Sequence, residues 1–162
     1  MVEASFLDGL VKQPNSQMCF VCGMENPIGL KLSFYQDGDG RVTATFTPGE
    51  EHQGYPGVLH GGIAAALLDE ALGRVIIGRG GWLMTARMEI RYKQIVPLGQ
   101  PLTAAGEIVR ETRRLVEARG ELRLADGSVA ITATATYLPV PEEKLKGMEE
   151  QLGYWKVFPD QE

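Results

Sequence analysis

Residues 57–73 read GVLHGGIAAALLDEALG, a stretch in which His-Gly-Gly leads into an almost wholly apolar segment. The alanines and leucines predict a helix over residues 61 to about 77, stopped by the glycines within residues 78–81. Two adjacent carboxylates, Asp69 and Glu70, interrupt its apolar surface. Because a helix start presents unpaired N–H groups at the positive end of its dipole, the stretch predicts a site for a ligand oxygen, with an acid two turns further on.

Alternation of polar and apolar side chains predicts strands on both sides of this helix. Residues 30–34 and 42–46 form a hairpin around the turn QDGDG at 36–40. Four further strands follow the helix, at 84–92, 102–110, 115–124 and 129–138. A short helix is expected over residues 3–13, and a polar helix followed by an aromatic anchor (Tyr154, Trp155 and Phe158) is expected after Pro141.

One long helix and at least five antiparallel strands predict an α+β fold in which a single curved sheet wraps the helix. The apolar surface of the helix is too broad for burial on one side, so a strongly curved sheet or a partner subunit has to cover the rest. The expected division is an N-terminal extension over 1–18, one domain over 19–140 and a C-terminal extension over 141–162.

The composition excludes several classes of protein. With 162 residues, 44% hydrophobic and 23% charged, the chain is expected to form one globular domain. A net charge of −5 with scattered Lys and Arg argues against a nucleic-acid partner. No segment has the length of a membrane span and the start lacks the pattern of a secretory signal, so a cytoplasmic protein is expected.

The two cysteines, Cys19 and Cys22, form a CxxC pair that fits a metal knuckle, a redox pair or two ordinary buried thiols. Zinc prefers four ligands, and two more would have to come from His52, His60 or a second subunit. The buried-thiol interpretation is therefore preferred, with no metal and no cofactor expected.

The segment HGGIAAALLDEALG resembles the hotdog-fold acyl-CoA thioesterases, in the PaaI-like branch of the 4-hydroxybenzoyl-CoA thioesterase superfamily. The branch motif has His-Gly-Gly and an acid nine positions after the His, matched here by residues 60–62 and Asp69. A later MTA stretch places Thr85 where relatives have a threonine that supports the acid, and CFVCGMENPIGLKL resembles their opening. The resemblance covers roughly residues 19–138. It implies a hotdog fold with five to six strands and an acyl-CoA hydrolase acting as a homodimer, or as a dimer of dimers.

Thioester hydrolysis needs an attacking water or carboxylate and a donor for the developing oxyanion. The Gly61 N–H and the Asp69 carboxylate suit these roles, yet eight residues of helix separate them by about 12 Å. Both groups can reach one carbonyl if two helices run antiparallel across a dimer interface. Asp69 is then the general base or the nucleophile, and the sequence leaves both open. Glu70 lies about 100° round the helix and is interpreted as structural.

The remaining candidates bind or orient the substrate. His60 is expected to hydrogen-bond the loop backbone and hold the Gly61 amide in place, and Gly62 to contribute to the same substrate site. Gln53, with His52 beside it in the preceding loop, is a candidate for the thioester oxygen or for a water molecule. Basic side chains suited to the coenzyme A phosphates are Arg113 and Arg114 at a hairpin and Lys93 at a strand end.

Two other functions remain open on the same fold. A non-catalytic acyl-CoA binding or regulatory module would hold the ligand without releasing thiol. A hydratase or dehydratase would act on an enoyl thioester, also without thiol release. The acyl group itself is not readable from the residues.

Overall fold

An antiparallel sheet surrounds the helix that begins at the His-Gly-Gly sequence. The computed structural model describes residues 9–77 and 82–160. In these ranges the main sheet has seven strands in the order β1-β3-β4-β6-β7-β8-β5, and a second sheet pairs β2 with β9. The strands are β1 (Val11–Lys12), β2 (Asn15–Ser16), β3 (Tyr35–Gln36), β4 (Val42–Phe46), β5 (Leu83–Tyr92), β6 (Leu102–Glu111), β7 (Val116–Arg123), β8 (Val129–Pro139) and β9 (Trp155–Lys156). The helices are α1 (Gly61–Arg74), α2 (Glu142–Gln151) and a 3-10 turn at Glu50–His52.

The hotdog arrangement expected from the resemblance is confirmed, with α1 packed against the concave side of the sheet. The five long strands match the predicted ones, and the two-residue strands β1 and β3 bring the sheet to seven rather than five or six. Four side chains of α1 are fully buried in this core: Leu67, Leu68, Ala71 and Leu72. Small residues of β6, β7 and β8 face them, namely Ala104, Ala118, Ala133 and Ala135.

Two glycines allow the close approach of α1 to the sheet. A Cβ on Gly106 would lie 2.9 Å from the backbone oxygen of Ala71. A Cβ on Gly120 would lie 2.9 Å from Leu72 Cδ2 and would overlap the backbone oxygen of Ala105. Side chains at these positions would push helix and sheet apart.

The structure corrects three predicted elements. Residues 3–8 of the expected N-terminal helix lie outside the described residues, and Val11–Lys12 is a strand because it pairs with Tyr35–Gln36. Residues 30–34 belong to no strand of the ladder, since Lys31 has a positive φ of 54° and Leu30 and Leu32 donate to backbone oxygens of the preceding loop. Helix α1 ends at Arg74, before the predicted glycines, which lie outside the described residues.

Strand β5 forms one edge of the main sheet, where it pairs with β8 alone. Most of its residues are exposed, including Met84 at 45% and Tyr92 at 54%. A ten-residue strand with an unpaired edge and exposed apolar side chains is a template for pairing with another chain.

The C-terminal aromatic segment docks on the domain, as the sequence predicts. Trp155 lies in β9, which pairs with Asn15–Ser16. Its ring lies 5.0 Å from the guanidinium carbon of Arg74, the last residue of α1. The segment therefore covers the end of the central helix.

Candidate functional site

Asp69 lies in the middle of α1, with its carboxylate held by two hydroxyl groups. The Thr85 hydroxyl donates to Asp69 Oδ1 at 2.7 Å. The Tyr137 hydroxyl lies 3.3 Å from the same oxygen and 3.1 Å from the Asp69 backbone oxygen. Among the described residues no donor reaches Oδ2, so this oxygen is the one open to a water molecule or a substrate.

A register shift in β5 brings Thr85 to the acid. Thr85 pairs with Tyr137 across the β5–β8 ladder, whereas Arg87 pairs with Thr136, so Ala86 is the extra residue of a bulge. Strict alternation would place Thr85 on the outer face with Arg87 and Glu89. The bulge at Ala86 puts it on the inner face beside Tyr137.

Tyr137 is a site residue that the sequence reasoning missed. It is 2% exposed and projects from β8 towards α1, where a Cβ on Gly73 would lie 3.7 Å from its ring, an ordinary contact distance. Burial, and then the negative charge of Asp69, raise the pKa of Tyr137, so its hydroxyl remains a proton donor. In the sequence, Tyr137 continues the alternation of Ala133 and Ala135 on the inner face of β8, and this pattern could have identified it.

The start of α1 has an open backbone donor. His60 is the N-cap, and its Nδ1 accepts from the Gly62 N–H at 2.9 Å. In the part of the chain that the structure describes, the Gly61 N–H donates no hydrogen bond, so it is the open donor. His60 thus stabilises the helix start, as predicted, but it engages the amide of Gly62 rather than that of Gly61.

Tyr92 holds the same helix start from the side of the sheet. Its hydroxyl donates to the Gly61 backbone oxygen at 2.8 Å. A cavity of about 250 Å³ opens here, and Gly61, Tyr92 and Lys93 contribute to its lining. Lys93 is therefore close to the helix start, whereas Tyr92 is a second residue that sequence reasoning did not single out.

The loop residues mainly shape the approach to α1. Gln53 Oε1 accepts from the Gly57 N–H at 2.9 Å and closes the loop between them. His52 Nδ1 accepts from the Gly49 N–H at 2.9 Å, and its ring contacts Phe46 edge-on. These side chains support the loop in the single chain, and their predicted contact with substrate stays a prediction.

Arg113 and Arg114 lie in the exposed turn between β6 and β7. The turn is organised by Thr112, whose Oγ1 accepts from the Arg114 and Leu115 backbone N–H groups at 3.2 Å. Neither arginine contributes to the cavity at the helix start. Their predicted role in phosphate binding is not tested by the single chain.

Glu70 faces a different environment from Asp69. Its Oε1 accepts from Arg74 Nε at 2.9 Å, and its Oε2 lies 3.7 Å from Cys19 Sγ. Burial raises the pKa of Glu70 to about 7 although Arg74 opposes the shift. The predicted separation of the two carboxylates is confirmed, because Glu70 points towards the N-terminal loop and Asp69 towards β5 and β8.

The two thiols beside Glu70 interact with each other. The hydrogen bond between them raises the pKa of Cys19 and lowers that of Cys22 to about 4, with the Arg74 charge further favouring the Cys22 thiolate. Cys22 also lies 3.4 Å from Ser16 Oγ. Both cysteines are free of disulfides.

A long helix wrapped by a curved antiparallel sheet, with His-Gly-Gly at the helix start and an acid in its middle, defines a hotdog-fold domain. Residues 56–131 match the family model described as the thioesterase superfamily. This match agrees with the family expected from the motif.

Known relatives and solved structures agree with this assignment. The chain is 30% identical to acyl-coenzyme A thioesterase THEM4 of Bos taurus over 127 residues, covering 77% of this chain and 52% of that protein. A solved thioesterase superfamily protein is 34% identical with a TM-score of 0.70, covering 74% of this chain and 59% of the other. A hypothetical thioesterase of Streptococcus pneumoniae, solved with coenzyme A, is 28% identical with a TM-score of 0.60, covering 63% and 80%.

The chain spans about half the length of the curated relatives that it matches. Within the described residues, neither helix has the length and apolar character needed to cross a membrane.

Proposed function

We propose that the protein hydrolyses acyl-CoA thioesters to a free acid and coenzyme A. The observation that carries the proposal is the Asp69 carboxylate, fixed through Oδ1 by Thr85 and Tyr137 and open at Oδ2. A fixed carboxylate with one free oxygen suits a general base that removes a proton from water, or a nucleophile that attacks the thioester carbonyl. The coenzyme A in the pneumococcal relative and the name of THEM4 support this class of substrate.

The oxyanion donor in this proposal is the Gly61 N–H. It carries no other hydrogen bond among the described residues, and the helix dipole adds to its positive potential. Gly62, whose N–H is held by His60, keeps the helix start in place. Tyr92 fixes the other side of the Gly61 peptide through its oxygen.

The site is shared between two copies of the chain. Gly61 and Asp69 lie eight residues apart on one helix, about 12 Å along its axis, which is too far for both to contact one carbonyl group. Antiparallel helices from two subunits bring the Gly61 N–H of one copy to the carboxylate of the other. The open edge of β5 is the surface proposed to extend the sheet into the second copy.

In the reaction, the Gly61 N–H polarises the carbonyl oxygen of the thioester. As a base, Asp69 Oδ2 takes a proton from water while the water oxygen attacks the carbonyl carbon. The tetrahedral intermediate then collapses, the carbon–sulfur bond breaks, and the thiolate of coenzyme A leaves and takes up a proton. As a nucleophile, Asp69 attacks the carbonyl carbon and forms an anhydride as the carbon–sulfur bond breaks and the thiolate of coenzyme A leaves and takes up a proton. Water then hydrolyses the anhydride to the free acid and the Asp69 carboxylate.

The remaining candidates bind other parts of the substrate. Lys93 at the cavity and Arg113 and Arg114 at the β6–β7 turn are proposed to contact the phosphates, and Gln53 to bind the thioester oxygen or orient a water molecule. Their exposure leaves them available to a ligand.

A panel of acyl-CoA thioesters with aliphatic and aromatic acyl groups tests the proposal by the release of free thiol. The proposal predicts turnover of at least one member. Saturable binding of acyl-CoA without thiol release across the panel would instead favour a binding module. Consumption of an enoyl thioester without thiol release would favour a hydratase.

A further inference from the structure

The strongest unexplained feature is the cluster of Cys19, Cys22 and Glu70, on a different side of α1 from the Asp69 hydroxyl contacts. One ligand atom of each residue lies within 4.8 Å of the other two. We propose that these three side chains bind one zinc ion, which ties the N-terminal loop to helix α1. The proposal is independent of the catalytic one.

The donor set has the chemistry that zinc prefers. Two thiolates and one carboxylate are common zinc ligands, with bond lengths of about 2.3 Å to sulfur and about 2.0–2.2 Å to oxygen. Ligand atoms grouped within 4.8 Å need only side-chain adjustments to close around one ion. Three protein ligands leave a fourth position for water, and the partial exposure of Cys19 gives access to it.

The carboxylate is already oriented for this role. Arg74 Nε holds Glu70 Oε1 at 2.9 Å, which leaves Oε2 directed at the thiols, 3.7 Å from Cys19 Sγ. A hydrogen-bonded partner of this kind orients ligands in metal sites generally. Arg74 is itself fixed by the Pro14 backbone oxygen at 2.6 Å and by the ring of Phe34.

Binding of a divalent cation would keep the charges of the cluster balanced. Two thiolates and a carboxylate carry three negative charges, while a divalent ion and the guanidinium of Arg74 carry three positive charges. Arg74 is 2% exposed and Cys22 is 1% exposed, so an unbalanced charge in this buried cluster would cost free energy. A simple disulfide would explain the two cysteines but would give the partly buried Glu70 carboxylate no charged partner besides Arg74.

The loop is built to present the thiols. The Gly23 N–H donates to the Cys19 oxygen at 2.8 Å, and a Cβ at Gly23 would overlap the Cys19 backbone. Buried Asn15 donates to the backbone oxygens of Cys22 and Leu32, at 2.8 and 2.7 Å. This tight turn needs glycine after the second cysteine, which explains the sequence CFVCG.

The test is metal binding to the full chain purified under reducing conditions. Zinc content is measured by atomic spectroscopy, and the metal-free protein is titrated with Co²⁺, whose thiolate charge-transfer absorption reports sulfur ligation. We expect one equivalent per chain and loss of the sulfur band in Cys19→Ser and Cys22→Ser. Glu70→Gln should weaken the affinity at least about tenfold, whereas Glu51→Gln, in the exposed loop before α1, should match the parent chain.

Thermal unfolding gives an independent reading that does not depend on variants. The parent chain should melt at a lower temperature after chelation and regain its Tm on addition of zinc. Absence of stoichiometric zinc or Co²⁺ binding by folded, reduced protein would overturn the proposal. So would conversion of the metal-free protein by hydrogen peroxide to an intramolecular disulfide, with loss of two hydrogens, if zinc gave no protection.

Discussion

At the residue scale, the division of labour between Asp69 and Glu70 follows from their neighbours. Asp69 meets hydroxyl donors and keeps one oxygen open, while Glu70 is engaged by Arg74 and the thiols. Adjacent positions on a helix point about 100° apart, so two carboxylates next to each other in sequence serve different surfaces.

Replacing Asp69 by Asn should abolish most of the turnover while the protein stays folded. The amide has the same shape but accepts no proton from water and forms no anhydride, so kcat should fall by about two to four orders of magnitude. Thiol release measures the rate, and circular dichroism checks the fold. Asp39→Asn, in the exposed turn of the β3–β4 hairpin, is the matched control, and an Asp69→Asn enzyme as fast as this control would remove Asp69 from the mechanism.

Tyr137 is predicted to be a positioning residue that acts through Asp69. Tyr137→Phe deletes only the hydroxyl and keeps the buried ring, so kcat should fall about tenfold with KM nearly unchanged. Tyr35→Phe removes a hydroxyl that donates to the remote Asp160 and serves as the control. A rise in KM at constant kcat would contradict a positioning role, since it would mean that the hydroxyl contributes to substrate binding.

At the scale of elements, the close contact between α1 and the sheet depends on glycines, which have no side chain. Gly120→Ala places a methyl group against Leu72 and the Ala105 backbone, so the free energy of unfolding should fall by about 1–3 kcal/mol. Gly38→Ala meets nothing within 4 Å and has no positive φ, which makes it the matched control. Chemical denaturation measures both, and equal stabilities would show that the helix is less closely packed than the structure indicates.

The long elements were predictable because each has one dominant pattern. The alternation of polar and apolar residues predicted the bounds of β4 to β8 to within about one residue. The apolar run after His60 predicted the start of α1. The short strands β1 and β3 were not predictable, since two-residue strands depend on a distant partner and not on a local pattern. The same holds for β9 and its pairing with Asn15–Ser16.

The acid and the glycines of the candidate site were predictable from the sequence. The hydroxyl groups that hold the acid were less predictable. Thr85 was placed by resemblance against the alternation of its own strand, because a bulge at Ala86 leaves no mark in the sequence. Tyr137 was missed because 68 residues separate it from Asp69. Only the β5–β8 pairing brings the two hydroxyl groups to one carboxylate.

At the scale of the whole molecule, the proposed mechanism assigns two half-sites to different points of α1. The exposed edge of β5 and the exposed helix start are the surfaces that a second copy would cover. The proposed symmetry of a two-fold dimer completes both sites at once, since each copy gives a Gly61 N–H to one site and an Asp69 carboxylate to the other.

Complementation between two inactive variants measures this central claim most directly. Gly61→Pro removes the N–H and adds a ring that the first position of a helix tolerates, with a Cβ 3.5 Å from the ring of Tyr92, and Asp69→Asn removes the carboxylate. Each variant alone should be inactive, whereas isolated mixed dimers carrying separate affinity tags should recover about half of the parent turnover, since one of the two sites is intact. Mixed dimers as inactive as either variant would contradict a site shared between subunits.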